Sequence, residues 1–162
     1  MPDAEFTRRR QPELARIAAA RQVESGSEGW RQSFVWPATG RISGRFGSQR
    51  VYRGKPGSYH SGIDLAGGAG TTYVAPADGV VVLAAGEPFT LEGYLLIVDH
   101  GESYLSIYAN NESLLKQMGD AVAPGEPVAT TGSSGGNEET GLYFEMRHLG
   151  RAFDPLRWVK LK

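Results

Sequence analysis

The chain has 162 residues, the length of one domain with a short appendage. Its 17 Lys and Arg against 18 Asp and Glu leave a net charge of −1, without the basic excess of a nucleic-acid binder. The absence of cysteine removes disulfides, thiol nucleophiles and Cys-ligated metal centres, and no stretch reaches the roughly 18 apolar residues of a membrane span.

Residues 1–29 read as an arm. Arg8-Arg9-Arg10 and Pro12 lead into a short helix over Glu13–Val23, with Pro12 and Glu13 suited to its first turn. Leu14, Ile17, Ala18 and Arg21 share one thin face, and Ser25-Gly26-Ser27-Glu28-Gly29 follows as a linker. Such a helix is either a solvated arm or a regulatory element that docks on the body. No signal peptide is visible, because Met1 to Arg10 lacks an apolar core.

Residues 30–162 form the second unit, where 22 Gly and 9 Pro in the chain point to many tight turns. Short strands are expected at Phe34–Trp36, Ile42–Arg45, Ile63–Ala66, Thr72–Ala75 and Gly79–Ala85. Others follow at Tyr94–His100, Glu102–Ala109, Pro127–Thr131, Leu142–Arg147 and Arg151–Phe153. The run Gly79–Leu83 is apolar on both faces, as a central strand would be. One helical turn is expected near Glu112 to Met118. The class is all-β and antiparallel. Gly119 to Val128 also fits a lipoyl-type carrier hairpin, but no Lys lies between Lys116 and Lys160 to bear the swinging arm.

His60 and Asp64 are the first candidate site. Both are suitable zinc ligands, and Gly62 between them can bend the chain so that they converge. Around them stand Gly40-Arg41-Ile42-Ser43-Gly44-Arg45-Phe46-Gly47, Ala75-Pro76-Ala77-Asp78-Gly79, Val98-Asp99-His100-Gly101 and Gly119-Asp120-Ala121-Val122. With these landmarks the chain from Phe34 to Trp158 resembles the LytM or lysostaphin-type zinc endopeptidases, which cut peptidoglycan cross-bridges.

The resemblance implies an antiparallel β-sandwich or barrel-like fold with a groove. It also implies zinc held by a His, an Asp and a second His. His60 and Asp64 match the first two ligand positions. The family's Tyr-x-His reads Tyr108-Ala109-Asn110 here, and its H-x-H-F-E reads Gly141-Leu142-Tyr143-Phe144-Glu145. Asn110 and Gly141 therefore stand where the two catalytic histidines would be, and Tyr143 stands at the third ligand. Neutral Tyr, with a pKa near 10, is a poor ligand, so zinc binding is expected to be weak. A substitute site of His60, Asp64 and Glu145 is conceivable.

The same stretches are similar to the EnvC-type murein hydrolase activators, which share Gly-Leu-Tyr-Phe-Glu followed by Arg, Ser133-Ser134-Gly135-Gly136 and the Tyr-x-x-Asn of Tyr108–Asn111. In such proteins the vacant groove binds and activates a cell-wall amidase. The expected function is thus a catalytically degenerate, monomeric domain that binds peptidoglycan or an amidase in the periplasm or cell envelope. Its binding residues would be Arg53, Tyr59, Tyr108, Asn110, Tyr143, Glu145 and Arg147, aromatics and Arg being favoured at interaction hot spots. The alternative is a zinc endopeptidase with an altered site, kept open by His60 and Asp64. On this mapping Gly141→His, Tyr143→His and Asn110→His together restore zinc affinity.

Overall fold

Two long strands that are apolar on both faces organise the molecule. In the computed structural model, which describes residues 4–52, 55–137 and 139–160, the described residues form one α-helix, two short 3-10 turns and fifteen strands. The order is α1 (Ala4–Arg21), β1 (Phe34–Val35), β2 (Ile42–Gly44), β3 (Gln49–Tyr52), β4 (Lys55–Tyr59), β5 (Ile63–Ala66), β6 (Thr72–Val74) and β7 (Gly79–Ala84). Then come β8 (Tyr94–Gly101), β9 (Tyr104–Asn111), β10 (Ser113–Leu114), β11 (Ala121–Val122), β12 (Pro127–Thr130), β13 (Gly141–His148), β14 (Arg151–Phe153) and β15 (Val159–Lys160).

The main sheet runs β11-β7-β8-β9-β13-β5-β2, with β14 paired to β13. All its pairings are antiparallel, and among the described residues only the short β1–β15 pair is parallel. A small sheet of β10-β12-β6 packs Tyr73, Val128 and Ala129 against one face of the main sheet. There Ile63, Leu65, Leu96, Val98, Tyr108, Leu142, Phe144 and Met146 form the principal core. Trp158 closes that core against Phe34, Tyr104 and Phe153.

The opposite face is covered over β7–β9 by α1, whose Ile17 and Ala20 are buried against Val82, Leu83, Leu95, Ile97, Leu105 and Ile107. Burial falls on Ile17 and Ala20, while Leu14 stays exposed. The helix starts nine residues earlier than Glu13 and carries Pro12 inside it. An internal Pro costs about 3 kcal/mol through a missing N–H and a ring clash. Tertiary anchors on both sides of Pro12 offset this. Arg10 makes two bonds to the Glu92 carboxylate, and Glu13 accepts from the backbone N–H and hydroxyl of Thr90. After the helix, Ser25 donates from both its N–H and its hydroxyl to Asp99, which pins the linker to the end of β8.

One expectation fails and one element is unforeseen, for the same reason. The segment Glu112–Met118 holds the strand β10 rather than a helical turn, because Ser113 and Leu114 pair with Thr130 and Ala129 of β12. The unforeseen hairpin β3–β4 likewise forms by pairing, through a stretch whose Pro56 and Gly57 give no strand signal.

Candidate functional site

Strand alternation along β13 sends Leu142, Phe144 and Met146 into the core and leaves Tyr143, Glu145 and Arg147 on the other face. Across the sheet Tyr143 is in register with Asp64 on β5 and Ala109 on β9, and Glu145 with Ile107. Ile107 in turn is opposite Ile97 on β8. This face therefore runs from the polar β5–β13 edge onto an apolar floor, until α1 covers it. Between α1 and the β5–β13 edge lies a groove of about 890 Å³, bordered also by Asn110 and the 135–139 loop.

His60 sits just before β5 and is buried. Its backbone is fixed on both sides, His60 N–H to Ser48 O at 2.8 Å and Gly47 N–H to His60 O at 2.8 Å. His60 Nε2 lies 3.0 Å from Asp64 Oδ2, and the Asp64 side chain keeps 42% of its surface exposed. The pair converges because the β2–β5 register places Gly44 beside Asp64. A Cβ on Gly44 would come within 2.2 Å of Asp64 Oδ2 and 3.3 Å of His60 Nε2. Gly62 does not bend the chain through a left-handed φ. It leaves room for the Tyr143 ring, which a Cβ at Gly62 would meet at 2.9 Å.

Tyr143 occupies the space between the two halves of the site. Its ring meets His60 edge-on, centroids 5.4 Å apart, and its hydroxyl donates to Glu145 Oε1 at 2.6 Å. Burial, then the Glu145 charge and its hydrogen bond, push the phenol well above its ordinary pKa, so Tyr143 remains neutral. The other carboxylate oxygen of Glu145 is paired with Arg147 Nε, and Arg147 Nη1 donates to Gly150 O at 2.9 Å. Glu145 is thus committed to Tyr143 and Arg147, and the substitute triad with His60 and Asp64 does not form. Among the described residues no three His, Asp or Glu side chains converge as a metal site. A zinc ion needs three protein donors and an open position. The residues present supply two, with a protonated phenol at the third, and do not fit it.

The remaining expected residues divide. Asn110 borders the groove from a left-handed backbone conformation, φ 68°, which Asn tolerates. Its N–H donates to Glu92 O at 2.8 Å. Tyr108 is not in the groove. It is in register with Phe144, stacks between Tyr73 and Phe144 in the core, and donates to Ser106 Oγ at 2.6 Å. The left-handed turn at Asn110 breaks the alternation that the Tyr-x-His pattern assumes. Gly141 is packed so closely that a Cβ would stand 2.2 Å from Leu65 O. Arg53 and the Tyr59 side chain lie outside the described residues. The groove residues that the sequence reading passed over are Ile17, Arg21, Leu91, Leu95, Ile97 and Ile107. The only signal for Arg21 was its place on the thin face shared with Ile17.

The comparisons with known proteins agree with this architecture. Residues 58–155 match the family described as peptidase family M23. The chain belongs to that family. The murein hydrolase activator NlpD of Salmonella dublin is 35% identical over 144 residues, 88% of this chain and 34% of that protein. The murein hydrolase activator EnvC of Escherichia coli is 37% identical over 131 residues, 80% of this chain and 29% of that protein. The chain thus spans about a third of the length of these curated relatives. Among solved structures, a zinc-containing peptidase from Vibrio cholerae shares the fold with a TM-score of 0.71 at 23% identity, over 81% of this chain and 40% of that one. An M23 peptidase structure from Pseudomonas aeruginosa has a TM-score of 0.71 at 25% identity and covers 96% of this chain and 63% of that one.

Proposed function

We propose that this M23 domain regulates peptidoglycan hydrolysis without cutting peptidoglycan itself, by docking a cell-wall amidase in the groove between α1 and β13. The observation that carries this reading is Tyr143. At the third ligand position stands a neutral phenol hydrogen-bonded to Glu145, and the Glu145 carboxylate is held by Arg147. Asn110 and Gly141 offer no group that takes a proton at neutral pH. The names of the relatives, murein hydrolase activators, support the same reading. So does Arg147 on the groove wall, Arg being enriched at binding hot spots. Relatives named as lipoproteins, such as outer membrane antigenic lipoprotein B of Haemophilus influenzae at 35% identity, favour the cell envelope.

The test combines two assays. The domain alone should leave no clearing on a peptidoglycan zymogram, and should raise product release when added to a purified cell-wall amidase of the same organism. The second reading, a zinc endopeptidase, is favoured by the 3.0 Å approach of His60 to Asp64. It predicts chelator-sensitive clearing by the domain alone, and that result would replace the first reading.

A further inference from the structure

We propose that a second cleft, on the face of the main sheet opposite the groove, binds the sugar chain of peptidoglycan. The inference rests on the reading of this domain as a regulator of peptidoglycan hydrolysis. It adds a separate site that holds the glycan strand while the groove docks the amidase.

The cleft lies where the core face of the sheet runs out. Strand alternation puts His148 on the same side of β13 as Leu142, Phe144 and Met146, one step past the last buried residue of that face. Register sets Tyr104 of β9 and Arg151 of β14 directly beside His148. Tyr104 stacks on His148 with ring centroids 3.9 Å apart and on Trp158 at 5.0 Å, and Phe153 meets both Tyr104 and Trp158 edge-on. These five side chains and Ala152 line a cleft of about 380 Å³, within the roughly 300–1,000 Å³ of small-ligand sites. It shares no lining residue with the groove. The β13–β14 turn is held in place, because Arg147 Nη1 donates to Gly150 O at 2.9 Å and Leu149 N–H to Ser103 O at 3.2 Å. His148 and Arg151 are therefore presented on a fixed support.

The chemistry of the lining selects the ligand. Among the described residues no carboxylate lines this cleft, whereas Asp64, Glu92, Glu139 and Glu145 line the groove. The Tyr104 hydroxyl, the His148 ring nitrogens and the Arg151 guanidinium make no hydrogen bond or ion pair among the described residues. His148 offers a ring N–H in either charge state, and Arg151 a fork of N–H donors. The edges of the aromatic rings carry partial positive charge as well. The cleft is thus rich in donors against a half-buried aromatic wall. Its complement is a ligand with an apolar surface and a rim of acceptor oxygens, and a bare anion would leave the rings unused. An N-acetylated pyranose has that form, with C–H groups across its ring face and hydroxyl and acetamide oxygens round its edge. A chain of such sugars is the backbone of the polymer whose hydrolysis this domain is proposed to regulate. Glycan on one face and amidase on the other raise the effective concentration of enzyme at its substrate.

The experiment is titration of chitotetraose, four β-1,4-linked N-acetylglucosamine units without peptide, into the ¹⁵N-labelled full chain, followed by amide chemical shifts. His148→Ala, Arg151→Ala and the groove variant Arg147→Ala are titrated alongside, and thermal melts verify that each is folded. Arg151 is exposed and unpaired, so its variant reads binding even if His148→Ala disturbs the ring stack. The expected result is saturable shifts at Tyr104 and at residues 148–153. Affinity should weaken about fivefold or more in His148→Ala and Arg151→Ala and stay unchanged in Arg147→Ala. Equal affinity in the parent and in both cleft variants would overturn the inference, as would shifts confined to the groove or no binding by the parent. Unchanged sugar binding with weaker amidase binding in Arg151→Ala would overturn it too, making the cleft a protein surface. The zymogram and the amidase assay test the docking reading without any sugar titration, so the failure of either is told from the failure of the other.

Discussion

Mild acid should destabilise this domain at pH values where its carboxylates are still ionised, because of one buried histidine. His100 lies at the end of β8 with no exposed surface, between Phe34 and the β7 turn. Its Nδ1 is 2.7 Å from Asp78 O and its Nε2 2.7 Å from Ser106 Oγ, while the Tyr108 hydroxyl donates to that same Ser106 oxygen. The chain of donors closes with a neutral ring, Nδ1–H donating to the carbonyl and Nε2 accepting from Ser106, a tautomer assigned from the partners. Burial is the leading cause that lowers the pKa of His100 from 6.5 to about 4, against the opposing pull of the Asp78 carbonyl.

The sign follows from which state binds the proton. Between pH 6.5 and about 4 the unfolded chain protonates this ring and the native chain does not, so stability falls as pH falls through that window and levels off below it. The gap amounts to about 3 kcal/mol at most, with a slope approaching about 1.4 kcal/mol per pH step below the upper end. Urea unfolding followed by Trp fluorescence between about pH 7 and pH 5 reads this slope before most Asp and Glu titrate. His100→Gln keeps a polar group at the site but removes the titration, so its stability should be lower yet nearly flat over the same interval. Equal slopes in the parent and in His100→Gln would refute the reasoning.

Four further outcomes are expected. Glu13 is pushed up by burial, but its bonds to Thr90 and Arg10 outweigh this and set its pKa below 4.5, so the anchor of α1 is intact above that value and lost as pH falls through and below it. Glu13→Ala should release the helix at neutral pH at a cost of about 1–2 kcal/mol, read as faster amide exchange over residues 13–21. Gly141→Ala should cost about 3 kcal/mol by thermal melting, because its Cβ would press on the Leu65 carbonyl in the adjacent strand. For the same reason Tyr143→His with Asn110→His should raise zinc affinity, measured by calorimetry, and adding Gly141→His should unfold the β5–β13 pairing rather than improve the site. Tyr73→Phe should lose about 1–3 kcal/mol in urea unfolding, since it leaves Asn111 Oδ1 buried without its 2.5 Å donor.

Much of this architecture was legible in the residues. The limits of β5 and β14 and the double-sided burial of β7 and β8 follow from periodicity, and the family was legible from His60, Asp64 and the landmarks around them. What escaped has physical causes. The first turns of α1 were hidden by Pro12, whose intrinsic cost is overridden by contacts 77 to 82 residues away in sequence. Tyr108 was placed in the groove by analogy, yet the positive φ of Asn110 reverses the facing that its spacing suggests. Glu145 read as a spare carboxylate because no sequence pattern reveals that Tyr143 and Arg147 both reach it. The docking of α1 uses Ile17 and Ala20, which the thin face of Leu14, Ile17, Ala18 and Arg21 does not announce.

The account turns on whether the His60–Asp64 half of the groove holds zinc. Calorimetric titration of zinc into chelator-treated protein, repeated with His60→Ala, measures this directly. The account predicts no binding tighter than about micromolar that depends on His60, two donors being one short of a protein zinc site. Sub-micromolar binding abolished by His60→Ala would contradict it, and would mean that Tyr143 or Glu145 leaves its present partners to complete a metal centre.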